Sequence, residues 1–315
     1  MTTCLIAGGT GMIGQALTRK WQDMGYQIII LGRDAEKIQK TFGDKVTPLT
    51  WQDFDEAPAK HLQECDIVVN LCGANIGEKR WSYDRKRVIL HSRVKTTEKI
   101  SRALATLGAS APRLLNASAI GVYGLQEIPN DDLGEALVEN SPLGDGSDFL
   151  SAVGKQWEEA TTPAQTQGVN VVLMRFGVVL SQNGGALPKM AMPFYFGMGG
   201  PIGNGRQVLS WVSLTTLVNM IDFVFNDPSI QGPVNMVSRK ACHQREFAEA
   251  LGRVLNRPSF MPTPAFVLKT VFGQMAEELL LNGQYVVPQR LNDRQCPHMD
   301  DDIESALRTI YKRSS

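Results

Sequence analysis

Several things are scarce in this chain, and each scarcity excludes something. The five cysteines (Cys4, Cys65, Cys72, Cys242, Cys296) are scattered, odd in number and free of any Cys-x-x-Cys pair. That usage fits a reduced, cytoplasmic chain and argues against a disulfide framework. Neither sign of charge dominates: 32 Lys and Arg face 32 Asp and Glu, so there is no electrostatic footprint for nucleic acid or an anionic membrane. No apolar run approaches the roughly 20 residues a membrane span requires, and the first residues lack the basic region and cleavage site of a signal peptide. The four histidines stand apart. The stretch Cys296-Pro297-His298 with Asp300, Asp301 and Asp302 reads as a solvated tail, and no metal is expected. Internal repeats and low-complexity segments are missing too.

What is present begins at once. An apolar run, Thr3-Cys4-Leu5-Ile6-Ala7, leads into Gly8-Gly9-Thr10-Gly11-Met12-Ile13-Gly14, and Gln15-Ala16-Leu17-Thr18 then open a helical pattern. Glycines at 8, 11 and 14 each answer a need: a tight strand-to-helix turn, close approach of a phosphate, and packing of helix on sheet. The helix start then aims free N–H groups and a partial positive charge at a pyrophosphate. A dinucleotide is the expected ligand.

The end of the second strand, Tyr26-Gln27-Ile28-Ile29-Ile30-Leu31, selects which dinucleotide. An NAD site places Asp or Glu there for the ribose 2′-OH. Here the strand ends at Gly32, which leaves room for a 2′-phosphate, and Arg33 and Lys37 supply a planar fork and a point charge to hold it. Asp34 falls too late for the ribose. NADP(H) is the predicted cofactor. Trp51-Gln52-Asp53 fall where the adenine would lie.

At 315 residues the chain holds one large α/β domain, or one domain with a smaller lobe. Further apolar strands are expected at Val46–Trp51, Asp66–Ala74, Leu114–Gly124 and Val169–Leu180. Helices are expected from Trp81 to Leu107 and from Phe149 to about Ala160, with an acidic loop to about Asp148 between them. The alternation predicts a doubly wound parallel sheet over 1–180. From 181 to 315 a smaller, mostly helical lobe is expected, with strand elements returning near 206–237. Helices are expected at Leu214–Phe225 and Gln244–Val254, with a helical segment from about 255. The glycine-rich stretch 196–205 reads as a loop at a cleft wall.

With these pieces in hand the chain resembles the extended short-chain dehydrogenase/reductase superfamily, with its Rossmann fold and its nucleotide-sugar epimerases and dehydratases. The carriers are Gly8-x-x-Gly11-x-x-Gly14, Asn70-Leu71-Cys72-Gly73, Ser118-Ala119-Ile120-Gly121-Val122-Tyr123-Gly124 and Arg175-Phe176-Gly177-Val178-Val179. It is similar in particular to an atypical epimerase branch with a C-terminal domain of unknown function. That likeness rests on Arg80-Trp81, Ser92-Arg93-Val94, Trp157-Glu158, Gly199 to Gln207, and the Leu279-to-Pro288 run. The resemblance places Gly8, Thr10, Gly11, Met12, Ile13, Gly14, Gly32, Arg33, Leu71, Cys72, Gly73, Arg93 and the backbone near Val179 around NADP(H). A small-molecule substrate or none is expected, in a monomer or homodimer.

The chemistry is less complete. Typical members pair a tyrosine with a lysine four residues later, giving a base poised near neutral pH. Here Lys155 is preceded at that spacing by Ser151, and a serine without an activating base is a poor acid or base. The usual serine position, four before Tyr123, is Ala119, and Ser118 is one residue off. The candidates are therefore Tyr123, Ser118, Ser151 and Lys155, with Tyr83 as a further possibility. Tyr123 reads equally as an aromatic packed at a strand end, and Lys155 as an exposed helix lysine. The usual Trp-Ile-His-x-x-Asp stretch is replaced by Trp211-Val212-Ser213-Leu214-Thr215-Thr216, and Gln295 to Met299 replaces the aromatic segment expected near the end. Two readings follow. One is an oxidoreductase or epimerase acting on a sugar nucleotide or a related hydroxyl or carbonyl substrate. The other is a non-catalytic NADP(H)-binding sensor or structural module.

Overall fold

In the computed structural model, which describes residues 2–127, 132–297 and 299–312, strands and helices alternate through the first half. They are β1 (Thr3–Ala7), α1 (Met12–Asp23), β2 (Gln27–Gly32), α2 (Ala35–Phe42), β3 (Thr47–Thr50), α3 (Trp51–Glu56), α4 (Pro58–Gln63), β4 (Ile67–Asn70), α5 (Tyr83–Ala105), β5 (Arg113–Ala119), α6 (Phe149–Glu159), α7 (Thr162–Thr166) and β6 (Val171–Phe176). Next come β7 (Val178–Ser181), β8 (Gly184–Gly185), α8 (Leu187–Tyr195), β9 (Val208–Leu209), β10 (Trp211–Ser213), α9 (Leu214–Asn226), β11 (Gly232–Met236), β12 (Cys242–His243) and α10 (Gln244–Leu255). The chain ends with α11 (Ala265–Phe272), α12 (Gln274–Ala276), a π-helical turn at Glu277–Leu281, α13 (Gln289–Asp293) and α14 (Ile303–Lys312).

Seven strands make one sheet in the order β11-β6-β5-β4-β1-β2-β3, all parallel. Strands buried on both faces read as continuous apolar runs, as β1 and β4 do. The order reverses between β1 and β4, the switch point at which open α/β sheets bind ligands beyond their strand ends. On one face, Leu17 and Trp21 of α1 meet Leu217, Met220, Ile221 and Val224 of α9. On the other, Phe54, Leu62, Ile100, Leu104 and Ala164 bring α3, α4, α5 and α7 onto Leu5, Val68 and Leu114. The doubly wound parallel sheet is the one the alternation predicts. A third cluster, with Leu180, Phe194, Trp211, Phe247, Leu251 and Leu307, is the core of the smaller lobe.

Four local expectations are corrected. The sixth strand is not continuous from 169 to 180. It breaks at Gly177, where a Cβ would lie 2.6 Å from the Ser210 carbonyl. β7 then leaves the main sheet to pair with β10 and β8. The fifth strand stops at Ala119, and residues 120–123 form a tight 3-10 turn. Trp51 begins a helix rather than ending a strand, because Thr50 and Asp53 form a reciprocal capping box. The long helix starts at Tyr83, capped by Ser82, whose side chain accepts from Arg85 N. Of the later strand elements, β11 rejoins the main sheet on the outer edge of β6, while β9 and β12 pair with each other. No described helix is long and apolar enough to cross a membrane.

One buried charge holds much of this together. Arg175 sits in β6, 3% exposed. Its Nε and Nη2 donate to Glu158 Oε1 and Oε2 of α6, each at 2.8 Å, the bidentate fork that suits guanidinium to carboxylate. Removing one member of a buried pair leaves the other uncompensated, which costs about 3–5 kcal/mol. Arg175→Leu is expected to lose that much in urea unfolding, and Arg175→Met combined with Glu158→Leu to recover part of it. A single variant within 1 kcal/mol of wild type would contradict the role.

Candidate functional site

The glycine turn is built by sterics. Gly8 has φ +78°, and a Cβ there would lie 3.0 Å from the backbone of Leu71 and Cys72. At Gly14 a Cβ would be 2.5 Å from Gly9 Cα, a clash that neither backbone can relieve. Gly11 N–H donates to Gly8 O at 3.0 Å, and Gln15 N–H to Gly11 O at 2.8 Å, which closes the loop into α1. The N-cap of α1 is Gly11, with no side-chain cap and no acidic residue in the first turn. The helix start therefore keeps its N–H groups and partial charge for an outside anion.

The other helix starts near this edge are taken. Asp34 Oδ1 accepts from Lys37 N at 3.0 Å and caps α2, which gives this carboxylate a structural task. Arg33 stands exposed just before it and acts electrostatically on Cys72 across the switch point. Gly32 would place a Cβ 3.1 Å from Ile38, so a larger residue would press on the core. Of the adenine-side residues, Asp53 is held in its capping box, and Trp51 packs edge-on against Phe54 with Lys99 over its ring.

Leu71, Cys72 and Gly73 leave the end of β4. The Asn70 side chain supports them, its Oδ1 accepting from Cys72 N at 3.2 Å. Burial pushes the Cys72 thiol up to about 12, against the pull of Arg33 and Thr96, so it stays protonated and unreactive. The Arg93 guanidinium lies 3.1 Å from where a Gly73 Cβ would stand and stacks 4.9 Å from the Trp157 ring centre. Its Nη1 donates to the carbonyls of Ala74 and Ile89, both at 3.0 Å. Burial, then the nearby Arg85, pulls its pKa down to about 10. No carboxylate among the described residues offsets it, so it is a cation in need of an anion. Met12 Sδ is 3.1 Å from a Gly184 Cβ position, and Val179 O is 3.1 Å from that of Gly185. The β7–β8 hairpin therefore closes over the glycine turn. The structure thus gathers the ends of β1, β2 and β4, α5 and the β7–β8 hairpin along one edge.

The candidate acid and base residues have other engagements. Tyr123 is 6% exposed. Its hydroxyl accepts from Arg175 Nη1 at 2.9 Å and donates towards Asn235 Oδ1 at 2.8 Å, with Val138 O at 3.0 Å. Burial raises its pKa, only partly opposed by Arg175 and Asn235. Ser118 is buried and donates to Glu158 Oε1 at 2.7 Å. Ser151 is fully buried and donates to Asp148 Oδ2 at 2.6 Å. Lys155 Nζ donates to Gly144 O at 3.0 Å. Tyr83 is 77% exposed and lies beside Arg87 on the outside of α5. Ser151 and Lys155 thus share a helix face beneath the Gly144 loop, Ser118 and Tyr123 are joined through Glu158 and Arg175, and Tyr83 stands apart.

The buried polar supports are the part the motifs did not announce. Asn70, Thr97, Asn116 and Trp157 form one network, with Asn70 Nδ2 at 2.8 Å from Thr97 Oγ1 and 2.7 Å from Asn116 Oδ1. Glu139 is 4% exposed and accepts from the backbone N–H groups of Asn235 (3.0 Å) and Arg290 (3.3 Å). A charged residue inside the apolar run Val171–Phe176 was the available signal, since buried charges demand partners. Near the end of the chain, Asp300 accepts from Ser213 N, Asp301 pairs with Arg239, and Asp302 accepts from Ser305 N. His298 lies outside the described residues. Among the described residues no cluster of His, Cys, Asp and Glu suits a metal.

Burial raises the Glu139 pKa above the ordinary carboxylate range. A carboxyl raised on folding stabilises fully below its unfolded value, and this contribution fades as pH rises through the folded value. Glu139→Gln keeps the acceptor without the charge. It is expected to match or exceed wild-type Tm at pH 8 and to lose that advantage towards pH 4, read by thermal melts across pH.

Comparison with known proteins follows the same outline. The family model for the NAD dependent epimerase/dehydratase family matches residues 4–236, and the one for a domain of unknown function, DUF1731, matches 263–310. An epimerase family protein of Mycobacterium bovis is 38% identical over 287 residues, covering 91% of this chain and 90% of its own. The Bacillus subtilis epimerase family protein YfhF is 32% identical over 302 residues, covering 96% and 95%. The crystal structure of human epimerase family protein SDR39U1 with NADPH superimposes with a TM-score of 0.86 at 30% identity, covering 99% of each chain. UDP-glucuronic acid 4-epimerase from Bacillus cereus, at 12% identity and a TM-score of 0.76 over the whole of both chains, shares the fold.

Proposed function

Because this chain belongs to the NAD dependent epimerase/dehydratase family, we propose that it binds NADP(H) along the edge formed by β1, β2, β4 and α5. The observation that carries this reading is the α1 N-terminus. It is free of any side-chain cap, and it stands behind a glycine turn whose Gly8 and Gly14 Cβ positions are filled by neighbouring backbone. Gly8, Thr10, Gly11, Met12, Ile13 and Gly14 hold the pyrophosphate, and Arg33 beyond Gly32 holds the 2′-phosphate. Arg93 supplies the second cation, and Leu71, Cys72, Gly73 and Val179 border the rest of the ligand. The crystal structure of human epimerase family protein SDR39U1 with NADPH supports the same choice. When bound, the nicotinamide supplies a hydride donor or acceptor.

The protein holds this cofactor without the family's usual proton relay. Hydride transfer to or from a carbonyl needs a group of matched pKa at the oxygen. Tyr123, Ser118 and Ser151 are buried and hydrogen-bonded, and Lys155 is bound to a carbonyl. The site therefore favours an NADP(H)-binding module, a sensor or structural holder. A second reading, turnover of a sugar nucleotide or a related hydroxyl or carbonyl compound, is favoured by one feature. A cavity of about 430 Å³ lies between residues 125–127, 204–207 and 281–283, beside Gly124.

Two measurements separate the possibilities. In fluorescence titration, Arg33→Asp is expected to weaken NADPH tenfold or more while changing NADH less than threefold. Equal losses would remove the 2′-phosphate role. Wild-type protein with NADPH or NADP+ is expected to show no change in nicotinamide absorbance across a panel of sugar nucleotides and simple carbonyls. Turnover of any of them would replace the module reading with the second.

A further inference from the structure

Residues 273–285, inside the stretch matched by the DUF1731 model, run as a strap from α5 and the start of α6 to Leu137, and their hold is uneven. The strap starts at Gly273, whose φ of +60° separates α11 from α12. It passes through the π-helical turn Glu277–Leu281 and ends beside Leu137, whose N–H donates to Tyr285 O at 2.8 Å. Its far half is locked by backbone packing: a Cβ at Gly283 would lie 1.9 Å from Val208 O. Gln284 Nε2 donates to Gly124 O at 2.7 Å, and Ser210 Oγ bridges Gln284 O and Val286 N.

The near half is held differently. Met275 is buried in one apolar cluster with Trp81 and Ile89, and Lys86 Nζ donates to Gln274. Gln207 Nε2 donates to Leu280 O at 2.7 Å, and the anchor to α6 is Glu278, 6% exposed. Its Oε1 accepts from Phe149 N at 3.1 Å and from Gln274 Nε2 at 2.6 Å, and its Oε2 accepts from Leu150 N at 2.9 Å. α6 already has its own cap, Asp148, which accepts from Ser151 N at 2.8 Å. The second carboxylate completes the helix start, and it holds the strap whose Met275 packs with Ile89, the residue whose carbonyl accepts from Arg93 beside Gly73. A π turn widens a helix locally and is often found at functional segments. Here it is the element that carries Glu278.

We propose that Glu278 is a latch: its release from the α6 N-terminus frees residues 274–281 to swing about 282–283 and Gly273, opening the nucleotide edge for exchange. The part concerning exchange rests on the NADP(H) reading above, and the latch itself does not. The test uses the full chain and two variants. Glu278→Gln keeps the shape but replaces one acceptor oxygen with a donor that repels an amide N–H. Gln274→Ala removes one donor to Glu278 together with the Lys86 contact, and leaves both α6 amides in place. In nucleotide-free protein, hydrogen exchange over 274–281 and at the Phe149 and Leu150 amides is expected to speed up at least tenfold in Glu278→Gln and less in Gln274→Ala, with 283–287 unchanged. Stopped-flow release of NADPH is expected to be at least fivefold faster in Glu278→Gln.

Unchanged exchange over 274–281 would overturn the latch, as would loosening spread equally over 283–287. If Glu278→Gln fails to fold, Gln274→Ala decides, and wild-type exchange in that variant counts against the latch. Local loosening with an unaltered NADPH release rate would overturn the gating of exchange. Wild-type protein that binds no NADPH would remove the reading of the preceding subsection, while the exchange measurement still judges the latch.

Discussion

Arg175 is the constraint on which the arrangement around it depends. A guanidinium in a strand buried on both faces must find charge and hydrogen bonds at once, and α6 supplies Glu158 from one side. That pair fixes α6 against β6, and Ser118 on β5 joins it through Glu158. The remaining nitrogen, Nη1, reaches Tyr123 and the Glu139 carbonyl. Tyr123 passes the connection to Asn235 of β11, and Asn235 Nδ2 donates to Val287 O of the second domain. A single charge thereby sets the register of three strands, one helix and two crossing segments. It also consumes the two hydroxyls that the motif Ser118-to-Gly124 offers for catalysis.

The helix starts divide the same edge by electrostatics. Every α-helix leaves N–H groups unpaired at its beginning, and several here are satisfied by side chains: α2 by Asp34, α5 by Ser82, α6 by Asp148 and Glu278, and α9 by Ser213. The α1 start, behind the glycine turn, has glycine at its cap, no side-chain cap and no acid in its first turn. The unbalanced guanidinium of Arg93 stands on the same edge. Both features are compensated by one kind of ligand, an extended polyanion lying from the end of β1 towards α5.

Much of this was legible in the residues, and the division is physical. The glycine turn could be read because its requirements are local: Gly8 needs positive φ, and Gly14 needs to touch Gly9, both within one strand–turn–helix unit. The capping role of Asp34 is local as well, three residues from its partner. The break at Gly177 was not legible, because its cause is the Ser210 carbonyl, brought there only by the pairing of β7 with β10. Glu278 is likewise silent in sequence, since it caps a helix about 130 residues away. Arg175 was a signal in plain view, a charge inside an apolar strand, but its partners lay on other elements and could not be named from spacing.

The remaining question about chemistry turns on proton affinity. Ser151 stands four residues before Lys155, and its hydroxyl donates to Asp148 Oδ2 at 2.6 Å, which orients it. Lys155 gives no help, being bonded to the Gly144 carbonyl. Tyr123 has its pKa raised by burial, the wrong direction for a base near neutrality. Freeing it would uncover Arg175 and Asn235 together. The Arg175–Glu158 pair thus engages both Tyr123 and Ser118 in hydrogen bonds that also join β6, α6 and β5.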